Sequence, residues 1–258
     1  MGDRDILQET LDNLFKWAED WGMQFNLTKC KIMHIGRNNP RYKYTMGGVE
    51  LSEVEEEKDV GVLITSNLKP SAQCKKAAFT ATAVLHQITK NFHFRDRHVF
   101  MGLYKQYVRP HLEFSTPAWS PWLRGDKDVL ENVQKKAVKM VAGLSGESYE
   151  ERCIELELDS LEKRRWDQDM RQTFKIIRGI DKLDKDKLFT IREPNRYTRS
   201  AEDQFHISQN RARQDTRRYF YSHRVVNGWN NIGYEHKSKS LAIFKNSLKK
   251  YNGPGGEP

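Results

Sequence analysis

The sequence has no apolar run of roughly 18 residues or more, the length a membrane-crossing helix needs, so neither a membrane span nor a membrane partner is expected. Residues 1–20 hold no apolar signal core, which argues against secretion. Cysteine is scarce: Cys30, Cys74 and Cys153 are odd in number and far apart. They exclude a disulfide framework, offer no zinc-ligand spacing and fit a reducing compartment, so an intracellular location, cytoplasmic or nuclear, is expected. Apolar residues are only 37% of the 258, but six Trp, ten Tyr and twelve Phe can still supply a core, which argues against wholesale disorder. What the sequence has in excess is positive charge. Its 44 Lys and Arg against 35 Asp and Glu leave a formal +9. Such a balance favours an anionic partner, most often nucleic acid, although a basic surface can serve solubility alone.

Trp17 to Gly36 organises the first part of the chain. Upstream, Leu7, Leu11, Leu14, Ala18 and Trp21 fall on one helical face, Asp3 or Asp5 can cap the start, and Gly22 is placed to stop the helix. Met23, Phe25 and Leu27 alternate as in a strand, Asn26–Lys29 is turn-prone, and Lys31–Ile35 alternates again. The plain reading is a helix packed on a hairpin. Tyr42, Tyr44 and Met46 then lead into Gly47-Gly48, followed by Val49 and Leu51, which signals a second hairpin. Ser52–Glu57 is an acidic connector, and Lys58–Thr65 reads as one buried strand.

Beyond Pro70 the pattern turns helical. Cys74, Ala77, Ala78, Ala81, Leu85, Ile88 and Phe92 make one long stripe, with Lys75, Lys76 and Lys90 off it. Phe100, Leu103, Tyr104, Tyr107 and Val108 make a second helix, interrupted at Pro110. His111–Trp122 is a broken helix or a buried loop anchored by two Trp. A third helix runs from Val129 to Leu144 with Lys135, Lys136 and Lys139 on its wet face. After Ser148 come a short helix with Tyr149, Cys153 and Leu156, and a longer one from Leu161 to Ile177, stopped by Gly179. Asp181–Lys187 is a solvated face, and the arginine-rich stretch Glu193–Arg218 reads as a loop. Phe220, Val225, Val226, Trp229 and Ile232 mark another helix, and Leu241, Phe244 and Leu248 a last one.

The string W-x3-W-x-M-x-F-N-x2-K-C-K-x-M-H-x-G from Trp17 resembles the palm segment that follows the catalytic aspartate pair in reverse transcriptases of LINE-type (non-LTR, jockey-related) retrotransposons. Three further groups of strings extend the resemblance over essentially Asp5 to Tyr251. G-x2-L and E-x2-K-D-x-G-V are similar to the palm–thumb junction. L-K-x-S-x-Q-C, L-Y-x2-Y-V-R-P-H-L-E, P-x-W-S-P and L-E-x-V-Q are similar to the thumb. Y-x-E-R, S-L-E-x-R-R, Y-T-R-S and R-V-V-x2-W-N are similar to the C-terminal extension. The resemblance implies an α+β fold: a small antiparallel palm-remnant sheet with one packed helix (1–66), then a mostly α-helical thumb (67–145) and a helical basic C-terminal extension (146–258).

It also implies roles. The Tyr44–Leu51 hairpin, with Met46, Gly47 and Gly48, would be the primer grip, although an ordinary sheet-edge meander reads equally well. Lys29, with Lys31 as the alternative, matches a lysine thought to protonate the leaving pyrophosphate. A thumb touches phosphates along a duplex, and Lys75, Lys76, Arg95 and Arg97 are the candidates, each by itself more often a solvated charge but together expected to matter. Tyr197, Arg199, Arg217, Arg218 and His223 could clamp unpaired nucleotides, or belong to a helical cap whose arginines pair with its own acids. The family's aspartates bind Mg²⁺ in an aromatic-x-Asp-Asp turn upstream of the first helix. Met1-Gly2-Asp3-Arg4 stands where that turn would already have passed, and no aromatic-Asp-Asp string occurs elsewhere. The Asp167–Asp169 and Asp184–Asp186 pairs fall outside the palm. No cofactor or metal is therefore expected in this chain. It is expected to be inactive alone and to bind RNA, DNA or an RNA–DNA hybrid without sequence preference. The alternatives are a protein-interaction module, whose partner covers palm residues such as Met33, Ile35, Leu63 and Ile64, or an enzyme completed by a separate chain.

Overall fold

The computed structural model describes residues 2–36, 38–93, 95–192, 203–251 and 253. The chain is α+β and divides into two compact units, Met1–Ala72 and Gln73–Pro258. Among the described residues no helix is long and apolar enough to cross a membrane.

The first unit opens with α1 (Asp3–Asp20). Gly2 is the residue before it, and the Asp5 carboxylate accepts from the Gly2 N–H at 3.2 Å, so Asp5 serves the cap from inside the first turn. Gly22, at φ +67°, ends the helix: its N–H donates to Glu19 O and that of Met23 to Ala18 O, the paired bonds of a left-handed stop. The buried face differs from the expected one. Gln8, Leu11, Phe15 and Ala18 turn inward, and Gln8 exchanges two side-chain hydrogen bonds with the Thr45 backbone at 2.9 and 3.0 Å. Leu7, Leu14 and Trp21 stay exposed, Trp21 at 71%.

The strands are shorter than expected, and they form three separate ladders instead of one antiparallel sheet. β1 (Lys31–Ile32), β2 (Thr45–Met46), β3 (Val49–Glu50) and β4 (Ser52–Glu53) are each two residues long. β1 pairs with β4 in parallel and β2 with β3 antiparallel. Met23–Leu27 forms no strand, and Lys31–Ile35 only its first two residues. The β2–β3 hairpin does turn at Gly47-Gly48, φ +57° and +76°, as the Gly-Gly signal requires. A Cβ on Gly47 would lie 2.4 Å from the Phe15 ring, so glycine also permits the hairpin's close seat on α1. Lys58–Thr65 is not one strand. β5 (Glu56–Asp59) and β6 (Val62–Thr65) pair antiparallel around a Val60-Gly61 tip, both at positive φ, and Val60 is 86% exposed.

The second unit is all helical apart from one isolated bridge between Ile191 and Ile207 among the described residues. α2 (Ser71–Asn91) buries Cys74, Ala77, Ala78, Ala81, Leu85 and Ile88, as its stripe foretells. Asp96 caps α3 (Arg97–Leu103), accepting from His98 and Val99 N–H. Pro110 does not end this helix. The missing donor is absorbed by a wide π turn at Tyr104–Val108, after which α4 (Arg109–Glu113) continues. Ser115, at φ +54°, makes the break before α5 (Thr116–Trp119). α6 (Arg124–Lys139) stops short of Leu144, which is buried in the following loop. Ser148 and Ser160 cap α7 (Tyr149–Glu155) and α8 (Leu161–Ile177), each accepting a backbone N–H three residues on.

Then come α9 (Lys185–Leu188), α10 (Asp215–Arg218), α11 (Tyr221–Asn231), α12 (Tyr234–Lys237) and α13 (Leu241–Ser247), with a 3₁₀ turn at Leu248–Lys250. Trp166, Met170, Phe174, Trp229 and Phe244 form the centre of a core that α8, α11 and α13 share. The stretch expected to be a free loop is docked at its described end. Asn230 accepts the Ile207 N–H at 3.0 Å and donates to Ile207 O at 2.8 Å, and Trp229 Nε1 donates to Phe205 O.

Polar residues tie the helices across residue 145. Glu113 accepts from Arg164. Glu131 accepts from the Tyr149 hydroxyl and the Leu161 N–H. Gln134 accepts from Tyr104 and donates to Tyr149. Each of these is buried or half-buried, where an unmade bond is expensive.

Candidate nucleic-acid interface

The α2–α3 turn puts two of the expected cations into one open groove. His93, Arg95, Asp96, Arg97, Met140 and Ala142 line a cavity of about 550 Å³. The turn is stitched to the chain after α6 by the Ala142 N–H, which donates to Arg95 O at 3.0 Å. Arg95 is half-buried and its Nε finds no partner among the described residues. Arg97 is already engaged: Nη1 lies 2.8 Å from Glu155 Oε1, and Nη2 donates to Glu155 O. Both members of that ion pair are about half exposed, so it holds Arg97 weakly against a competing phosphate. Lys75 on α2 is exposed and Lys76 half-buried. Among the described residues neither makes an ion pair.

A second grouping joins Arg217 and His223. They line a polar cavity of about 90 Å³ with Lys187, Asn210 and Ser222. Partial burial and the nearby Arg217 charge push the His223 pKa down, against the pull of the Asn210 backbone. Arg218 is not brought in; it pairs with Asp215 at 3.3 Å on α10. Tyr197 and Arg199 lie outside the described residues.

In the first unit, Lys29 is exposed in a turn closed by its own N–H to Asn26 O. Of the hairpin residues, Met46 and Leu51 are buried, Tyr44 is half-buried, and Gly47 and Gly48 are exposed. Any strand held there would meet the glycine backbone and the Tyr44 ring instead of the two aliphatic side chains.

Among the described residues no group of three or more His, Cys, Asp or Glu gathers where it could hold a metal ion. Asp167 and Asp169 are on α8, each held by a cation: Asp167 by Lys163, Asp169 by Arg224 at 2.8 Å. Neither carboxylate of this pair is therefore free of a cationic partner. Burial pushes the Asp169 carboxyl up, and Arg224 pulls it back.

Sequence reasoning missed His93 and Ser222, near neighbours of Arg95 and His223 in the chain, and Lys187 and Asn210, which reach the second cavity through tertiary packing. Compared with protein-family models, curated proteins and solved structures, the chain matches none.

Proposed function

We propose that this chain is the nucleic-acid-holding part of a LINE-type, non-LTR RNA-directed DNA polymerase. In this reading residues 1–66 are palm remnant, 67–145 thumb and 146–258 C-terminal extension, and the chain binds RNA, DNA or hybrid without sequence preference. It carries out no nucleotide transfer by itself, since the aromatic-Asp-Asp string that would hold Mg²⁺ is not in the sequence. The observation that carries the reading is the open groove in which His93, Arg95 and Arg97 meet. Phosphate contacts of this kind position a duplex and carry no base information.

A gel shift tests it with an RNA–DNA hybrid, duplex RNA and duplex DNA of unrelated sequences. Binding to several of them, weakened by Arg95→Glu with Arg97→Glu, is the expected result; no binding at low salt would end the proposal. Primer extension with Mg²⁺ and template should give no product from this chain alone.

A second reading, a protein-interaction module, is favoured by one observation. α1 exposes Ile6, Leu7, Leu14, Trp17 and Trp21, more apolar surface than a finished helix face leaves open. Size-exclusion chromatography separates the readings, because a clean monomer at high concentration weakens the second.

A further inference from the structure

A cavity of about 250 Å³ lies within the second unit, lined by the α5–α6 connection, Lys127 of α6, α8, Tyr219 and α11. Its walls are mixed in a specific way. Pro121, Met170 and Val225 are apolar, and Trp122 and Tyr219 stand at the edge as a parallel stack, ring centroids 5.4 Å apart and planes 4° from parallel. Five charged side chains also border it, and four of them neutralise one another. Lys127 pairs with Glu162 at 2.5 Å. Arg224 grips both oxygens of Asp169 at 2.8 and 2.9 Å and donates to Pro117 O.

Arg165 is the fifth. It is 3% exposed and makes no ion pair among the described residues. Among the described residues neither Nη1 nor Nη2 has a hydrogen-bond partner. An arginine cannot shed its proton, so it keeps its unit charge in a shielded place, opposed only through space by Glu131 and Glu162 and without a hydrogen-bonded carboxylate among the described residues, a costly arrangement for a buried ion. The natural complement of a planar guanidinium fork is an oxyanion. Arg165 already lines the cavity, and among the described residues an oxyanion there would displace no hydrogen bond of its two η nitrogens.

We propose that this cavity is a binding site for a small oxyanion, carboxylate or phosphate, carried on a planar ring: the oxyanion on Arg165, the ring against the Trp122–Tyr219 stack. This is a different place from the groove at Arg95 and Arg97 and does not depend on it. Such a ligand could be an aromatic acid or a nucleotide, and the two share the chemistry that the cavity recognises.

The test is titration of the full chain with benzoate, uridine 5′-monophosphate and inorganic phosphate, read by tryptophan fluorescence and by thermal shift. Saturable binding of benzoate or the nucleotide in about the millimolar range is expected, with inorganic phosphate roughly tenfold weaker for want of a ring. Whichever of the first two binds more tightly identifies the source. Arg165→Met should weaken binding at least about tenfold, and it should leave the melting temperature of the unliganded protein unchanged or raise it, because it removes an unpaired buried charge. Tyr219→Leu, at the rim, should weaken binding a few-fold with the fold intact.

No saturation by either ring compound up to roughly 10 mM, where even weak small-ligand sites fill, would overturn the assignment. So would unchanged binding in Arg165→Met. If that variant instead melts lower or fails to fold, Arg165 is a structural counter-ion for Glu131 and Glu162 and the site is refuted.

Discussion

The two units differ in how much of their apolar surface they cover. Among the described residues of Met1–Ala72 the buried apolar side chains are few, chiefly Ala18, Met46, Leu51 and Val62. Ile6, Leu7, Leu14, Trp17, Trp21 and Met23 remain in solvent. In Gln73–Pro258 the apolar faces of α8, α11 and α13 close on each other, with Trp229 and Phe244 wholly buried. One unit is thus a helix and three short ladders with an uncovered side, and the other has a finished core of its own. Burial of apolar area is the main source of stability, so the second unit should outlast the first. Urea unfolding of the whole chain, followed by circular dichroism, should show two transitions, the early one belonging to the first unit.

The largest way to break the contrast is to strand a charge in the stronger unit. Asp169→Ala leaves Arg224 without its carboxylate and should cost about 3–5 kcal/mol, lowering the late urea midpoint until it merges with the early one. Gly47→Ala acts on the weaker unit. Its Cβ would meet the Phe15 ring at 2.4 Å, at a positive φ, and should cost about 1–3 kcal/mol. Only the early transition should move. Val60→Asn works in the opposite direction. A β-branched residue at φ +43° on a two-residue tip is poorly suited to a turn that favours Asn-Gly, and the change should stabilise the first unit by about 1 kcal/mol.

The smallest effect is a pH dependence confined to the second unit. Burial holds His206 and His223 below the ordinary 6.5. Between their folded pKa and 6.5 the unfolded chain therefore binds more protons than the folded one. Their contribution to stability is present above about 6.5 and declines as pH falls through that window. The late transition should shift slightly downward between about pH 7 and pH 5, and the double variant His206→Gln with His223→Gln should lose that shift.

The same contrast explains what could be read from the sequence. The longer helices of the second unit were legible because they carry their own signals: a stripe of apolar residues, Ser148 and Ser160 as caps, Gly179 as a stop. The first unit's strands were not, because two-residue ladders are set by partners and not by alternation. Met23, Phe25 and Leu27 alternate yet pair with nothing as a strand. The Val60-Gly61 tip hid because valine is a strand former at a position that needs a turn residue. α12 and the docking of Phe205–Ile207 were illegible for a third reason: they depend on Lys237 with Asp203 and on Asn230, contacts made across tens of residues. Of the candidate site, the meeting of Arg95 with Arg97 and of Arg217 with His223 follows from sequence proximity. The acids that restrain Arg97 and Arg218 do not share that legibility equally: Asp215 is close by in sequence, whereas Glu155 comes from another helix.

The most direct measurement is the salt dependence of hybrid-duplex binding by the intact chain. Each phosphate contact adds roughly 0.7 to 0.9 to the slope of log affinity against log salt, so four contacts predict a slope near about −3. Arg95→Glu with Arg97→Glu should bring it down by roughly 1.5. A slope indistinguishable from zero, or one that these substitutions leave unchanged, would contradict a nucleic-acid-holding role for the groove.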